Sequence, residues 1–281
     1  MRLLNVILGL LIFWAQNISA NEQISLTEAP ESTSSYSFGV GISMMTINDY
    51  IGADESQFYI FPTPYIFYQS DTLIIDQNAF TGELFESKRW HLAVDAAGSI
   101  PVNSDKNAAR LGMTDLDWVG ELGPSLEYYF AGDSRSKNRT YVDFSIRKAI
   151  NTDFKQISDT GWTGQVSLNN KYQFKTSLLG GETILDSTVA LLFHSDKYAQ
   201  YFYSVTEAEA NATRTEYNAQ GGYAGARLSL GGTWRSGNVW IGVFTRYTYL
   251  SKTSFVDSPL VKSTSNLLIG MSVSYIFKER K

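Results

Sequence analysis

Long runs of strict alternation are the feature that most constrains this chain. From Leu267 to Phe277, Leu267, Ile269, Met271, Val273, Tyr275 and Phe277 alternate with Leu268, Gly270, Ser272, Ser274 and Ile276. Strand side chains repeat every two residues, so one face is wholly apolar and the other mostly small or polar. Tyr36 to Met44 repeats the pattern, with Ser37, Gly39, Gly41 and Ser43 opposite the apolar set. Trp162–Lys175 does so again, placing Val166, Leu168, Tyr172 and Phe174 against Gln165, Ser167, Asn169, Lys171 and Gln173. Further candidates are Gln57–Gln69, Leu73–Phe85, Trp90–Val102, Trp118–Phe130, Thr140–Ile150, Thr183–His194, Ala219–Thr233 and Val239–Leu250. Pro62 and Pro64 fall inside the Gln57–Gln69 run, where a missing backbone donor predicts that the strand begins or kinks.

Length separates the two folds that such alternation permits. Globular strands are usually about 5–6 residues long, whereas a tilted membrane-spanning strand needs about 9–11. The candidates here are of the longer kind, and several begin or end in Trp, Tyr or Phe, as interfacial belts require. Mean hydropathy is −0.16, too low for a bundle of membrane helices but ordinary for a barrel whose inner half is polar. Mid-strand charges (Glu121, Glu127, Asp143, Arg147, Lys171, Arg227 and Arg246) fall on the second face. The fold expected is an all-β transmembrane antiparallel barrel. Eleven candidates cannot satisfy the even count of bacterial barrels, so about 12 strands are expected, with 10 as the alternative, and the irregularity lies in the N-terminal third.

The N-terminus reads as an export signal. Arg2 precedes an apolar run from Leu3 to Trp14, and Ile18-Ser19-Ala20 ends on small residues. The expected division is 1–20 signal peptide, 21–35 polar lead-in, 36–277 single barrel and 278–281 charged tail. The expected location is the outer membrane of a Gram-negative envelope, with its lipid as a partner. The absence of cysteine excludes a disulfide framework and thiolate metal sites. A net charge of −5 argues against nucleic acid as a partner.

Little in the chain points to catalysis. There are only two histidines. His91, Asp95 and Ser99 share a strand face, but four residues at ~3.3 Å each is about 13 Å, far beyond the ~3 Å of a catalytic relay. His91 reads as an interfacial polar residue and His194 as a strand-edge residue. Asp115 and Asp117 read as solvated loop acids, and no cofactor or metal is expected. Candidate partner contacts are the tyrosines of the longest loop, Tyr198, Tyr201 and Tyr203, which could instead fold inward as a plug. The others are the basic residues Arg135, Lys137 and Arg139, in a short link assigned to the periplasmic side.

Several segments together resemble the MipA/OmpV family of outer-membrane proteins (MltA-interacting protein). They are Tyr50-Ile51-Gly52-Ala53-Asp54, Pro62 and Pro64 leading to Tyr68, Leu122-Gly123-Pro124, and the Tyr198–Tyr203 tyrosines. Asp257-Ser258-Pro259-Leu260-Val261, then Gly270, then Ser274-Tyr275-Ile276-Phe277 complete the set. The resemblance spans about Tyr36 to Phe277. It implies a non-catalytic barrel that scaffolds murein synthesis and remodelling, with periplasmic murein hydrolase and synthase proteins as partners. A small channel, a surface adhesin and an outer-membrane lipid hydrolase are the alternatives. Lys278-Glu279-Arg280-Lys281 extends past the aromatic residue that usually ends such chains.

Overall fold

The computed structural model describes residues 35–69, 73–75, 80–87, 89–174 and 180–280. The expected signal peptide, and the lead-in up to residue 34, lie outside these. Twelve antiparallel strands follow one another around a closed barrel. They are β1 (Ser35–Asn48), β2 (Ser56–Gln69), β3 (Leu73–Ile75), β4 (Phe80–Glu86), β5 (Trp90–Ser99), β6 (Trp118–Ala131) and β7 (Arg139–Thr152). β8 (Ile157–Gln173), β9 (Glu182–His194), β10 (Gly222–Ser236), β11 (Val239–Tyr249) and β12 (Ser265–Arg280) complete the ring, and one helix, α1 (Asp196–Tyr203), lies between β9 and β10. β1 and β12 pair from Tyr36↔Arg280 to Thr46↔Ile269 and close the sheet on itself.

The apolar face is the outer one. Ile269 is 52% exposed and Leu168 also 52%, while their neighbours on the second face, such as Ser274 and Ser167, are buried. A soluble sheet would bury that face. Here it forms a continuous exposed apolar band, which identifies a transmembrane barrel. Trp90, Phe130, Tyr172, Tyr275 and Phe277 are exposed near one end, and Trp162, Tyr247 and Tyr249 near the other. These are the two aromatic belts of a membrane–water boundary.

Three expectations change. The Leu73–Phe85 run is two strands, β3 and β4, which resolves the odd count in favour of twelve. β2 neither begins nor kinks at its prolines: Pro62 pairs with Ile42 and Pro64 with Val40 in an unbroken register. Proline can sit there because its missing donor falls on the strand's other edge. The charged tail is also part of the barrel up to Arg280, since Phe38↔Lys278, Ser37↔Glu279 and Tyr36↔Arg280 extend the β1–β12 ladder beyond a bulge at Phe38/Gly39. The Arg235 guanidinium, 2.9 Å from Glu279, holds that extension against the β10–β11 turn.

The buried apolar cluster does not run along the barrel. It gathers toward one end, in the links 49–55, 100–117, 195–221 and 250–264 and in strand residues beneath them such as Val119, Ala149 and Leu192. The links at the other end are short, such as residues 237–238 between β10 and β11.

Candidate functional site: a sealed mouth over a charged lumen

Four links fold over one end of the barrel as a cap. Phe255, Leu250 and Leu260 are wholly buried in it. Phe255 stacks on Tyr203 with ring centroids 3.9 Å apart. Beside the turns within each link, polar groups are also satisfied from one link to another. The Tyr50 hydroxyl donates to Leu260 O at 2.7 Å, Tyr203 donates to Ile51 O at 2.8 Å, and Ser258 donates to Tyr203 O at 2.6 Å. Gly52 N–H donates to Asn266 Oδ1 at 2.7 Å, while Gly52 O accepts from Lys262 and Ser263. Gly52 has φ +103°, a left-handed conformation that side chains other than glycine rarely adopt. Burial pushes the Tyr50 and Tyr203 hydroxyls upward, so both remain protonated donors.

Two arginines staple the cap. Arg110 is buried and donates to Thr114 O at 3.0 Å, to Phe202 O at 3.3 Å and to Ser104 Oγ at 3.2 Å. Arg214 reaches back to Ala109 O and Leu111 O at 3.0 and 3.1 Å while also holding Glu209 O. A guanidinium, with five donors and no acceptor, is well suited to collecting orphan carbonyls. Nothing in their local sequence distinguishes them from solvated residues.

Below the cap the lumen is polar. Glu121 on β6 is its hub, accepting from Arg147 Nε at 3.1 Å, from Thr163 at 2.6 Å and from the cap's Tyr198 hydroxyl at 2.9 Å. Arg147 also pairs with Asp95. His91 Nδ1 lies 2.9 Å from Glu127. The mid-strand charges thus face inward, as a barrel requires. Arg227 on β10 and Arg246 on β11 differ from Arg147: among the described residues neither has a carboxylate within ion-pair distance, and Arg227 Nε has no hydrogen-bond partner. At the short-turn end Tyr65, Trp240 and Ile276 are buried against one another inside the barrel, with the two rings 5.4 Å apart.

The residues singled out in the sequence fall into distinct places. Tyr198 and Tyr203 are buried in the cap, and Tyr201 is half-buried, accepting from Asp117 N–H at 2.9 Å. The reading of these tyrosines as an external contact is therefore corrected. α1 turns them inward, with Ser195 capping its first turn. His91 faces the lumen rather than the lipid interface and is 2% exposed. His194 stacks between Tyr198 and Phe255. His91, Asp95 and Ser99 form no relay, because His91 and Asp95 are engaged by different residues of neighbouring strands. Asp115 accepts from Ser104 N–H and Asp117 from Asn151, and no metal-ligating group of acids or histidines occurs among the described residues. In the β6–β7 link, Arg139 donates to Ser134 O and Ser136 O and shapes the turn, while Lys137 is exposed near Glu182.

Some of the segments that carry the family resemblance converge in three dimensions, and the others lie along the strands. Tyr50, Gly52 and the Asp257–Val261 run meet in the cap. Gly270 leaves room for the Phe244 ring, which a Cβ there would meet at 2.4 Å. Gly123 lies so close to Ile146 O that no Cβ fits, and Pro124 follows it, opposite Val94 of β5. The family model for the MltA-interacting protein MipA matches residues 40–277, nearly the whole barrel. The chain belongs to the MipA family. No curated protein sequence matches it. Among solved structures, this MipA-family barrel is similar to Pseudomonas aeruginosa OccK8 (OprE) at 9% identity, covering 88% of this chain and 98% of that one. The TM-score is 0.24, too low to carry an argument.

Proposed function

We propose that this MipA-family barrel sits in the outer membrane with its cap outward and serves as a non-catalytic anchor for murein-remodelling proteins at its periplasmic end. The observation that carries this reading is the cap. Four links bury an apolar core across one mouth, and Tyr65 and Trp240 narrow the other, so the barrel is built to be closed. A barrel closed at both mouths offers its surfaces to partners rather than its lumen. The family is named for interaction with MltA, which the resemblance identifies as a murein-degrading lytic transglycosylase. The short-turn end carries Arg135, Lys137, Lys278 and Arg280, a basic rim for an acidic partner surface.

Crosslinking in intact envelopes, followed by pull-down, tests the assignment. Wild-type protein should recover a lytic transglycosylase, and Arg135→Glu with Lys137→Glu should reduce that recovery. Failure to enrich any murein enzyme over an unrelated barrel would remove the scaffold reading.

A further inference from the structure

The end of β12 reverses the facing that the rest of the strand sets. Tyr275 and Phe277 are exposed on the outer, lipid-facing side. Strict alternation would next turn Glu279 outward and Lys278 and Arg280 into the lumen. The bulge prevents this. Gly39 is opposite Ile276, yet Phe38 is opposite Lys278, so Phe277 is an extra residue on the β12 side. One extra residue shifts the parity of all that follow, which is how bulges re-aim side chains. Residues directly opposite each other in an antiparallel ladder share a face. Lys278 and Arg280 therefore take the outer face of their partners Phe38 and Tyr36, the face on which Val40 and Ile42 are exposed. Glu279 takes the inner face of its partner Ser37, which is buried.

The contacts follow this sorting by charge. Glu279 accepts from the Arg235 guanidinium at 2.9 Å and from the Ser37 hydroxyl at 3.4 Å. The Lys278 ammonium lies over the Tyr36 ring, 5.8 Å from its centroid. Lys278 and Arg280 are both exposed, and among the described residues neither has a carboxylate within ion-pair distance. Two cations thus stand on the lipid side, one and three positions beyond Phe277 of the aromatic belt. At ~3.3 Å per residue the farther one is about 10 Å along the strand, and less along the membrane normal because barrel strands tilt. That is the depth of the lipid head groups.

We propose that Lys278, Arg280 and Tyr36 form a site for the head group of an anionic glycerophospholipid in the leaflet at the short-turn end, with its acyl chains against Phe277, Tyr275 and Phe38. In the orientation proposed above this is the periplasmic leaflet. A phosphodiester offers acceptors to a guanidinium and an ammonium together. A zwitterionic head group brings an ammonium of its own, and Glu279, the acid that could receive it, points the other way. The Tyr36 ring steadies the Lys278 side chain by cation–π contact. The site goes beyond the anchor reading and needs no murein protein. It gives two of the four basic residues at that end to lipid and leaves Arg135 and Lys137 to the partner surface.

The test uses the whole barrel in nanodiscs of zwitterionic lipid, doped with spin-labelled phosphatidylglycerol or, in parallel, spin-labelled phosphatidylcholine. Electron paramagnetic resonance reads the motionally restricted fraction of each label. Wild-type protein should restrict the phosphatidylglycerol label several-fold more than the phosphatidylcholine label. Lys278→Gln with Arg280→Gln should bring that ratio close to one, whereas Lys278→Arg with Arg280→Lys should keep it. Arg135→Gln with Lys137→Gln, which removes equal charge from the same end, should also keep it. Heat-modifiable migration on gels verifies that each variant is folded; should the glutamine pair not fold, Lys278→Gln alone should lower the ratio at least twofold. Equal restriction of the two labels by wild type, or an unchanged ratio in a folded glutamine variant, would overturn the proposal. The same loss in the Arg135 and Lys137 pair would overturn it too, by assigning the preference to net charge at that end. No murein enzyme is present, so this site and the anchor reading fail separately.

Discussion

Arg214 is a single residue on which several cap links depend. Its guanidinium holds Glu209 O, Ala109 O and Leu111 O, and truncation leaves buried carbonyls unsatisfied at roughly 1–3 kcal/mol. Arg214→Ala should therefore make the cap links protease-sensitive in a barrel that still shows heat-modifiable migration; cleavage no faster than wild type would contradict the staple. Glu209 adds a pH dependence. Burial pushes its carboxyl up, but the Thr206 hydroxyl and N–H, with Arg110 and Arg214 nearby, outweigh this and hold it below its ordinary 4.5. A depressed carboxyl contributes stability above its unfolded value and loses it as pH falls through the folded one. Cap proteolysis should therefore rise on acidification below about 4.5, and Glu209→Gln should flatten that rise. The role of Arg214 could not be read from the sequence, because it looks like an ordinary charge in a polar loop, whereas Thr206 and Glu209 form a local capping box. The partners of Arg214 at Ala109 and Leu111 lie about a hundred positions away.

At the scale of the element, period-two alternation carries the argument. In β8 the apolar set is outside and the polar set inside, with Leu168 in the exposed band and Gln165 lining the lumen. A charge at Leu168 must face hydrocarbon, at about 2–4 kcal/mol near mid-membrane. Leu168→Arg should lose heat-modifiable migration, and Gln165→Ala should keep it; the opposite result would invert the facing. Alternation is a local property, so most strands could be placed from the residues alone. It failed where height was the question. Leu73–Phe85 alternates well enough to read as one strand, yet only the count of residues between β2 and β5, together with the pairing at Tyr68 and Gln69, divides it into two short ones.

For the whole molecule, the two ends decide what the barrel can do. The cap buries Phe255, Leu250 and Leu260 over one mouth, and Tyr65 packs with Trp240 near the other. Purified protein in planar bilayers should therefore show no steady conductance. Phe255→Ala, which removes the ring stacked on Tyr203, should produce flickering openings. A stable open channel in the wild type would favour a porin over a scaffold.

The sequence by itself determined that the chain crosses a membrane as strands, which face of each strand meets lipid, and that Leu267–Phe277 turns its apolar side outward. Each of these follows from spacing of two and from strand length, which neighbouring residues encode. Only the tertiary structure decided that the Tyr198–Tyr203 tyrosines close the barrel, that the tail to Arg280 is strand, and that Glu121 joins lumen to cap. It also brought Tyr50 to Leu260 and Tyr203 to Ile51, contacts spanning 210 and 152 positions. Such contacts form when loops from distant hairpins share one barrel mouth, and no local pattern of residues records which mouth they share.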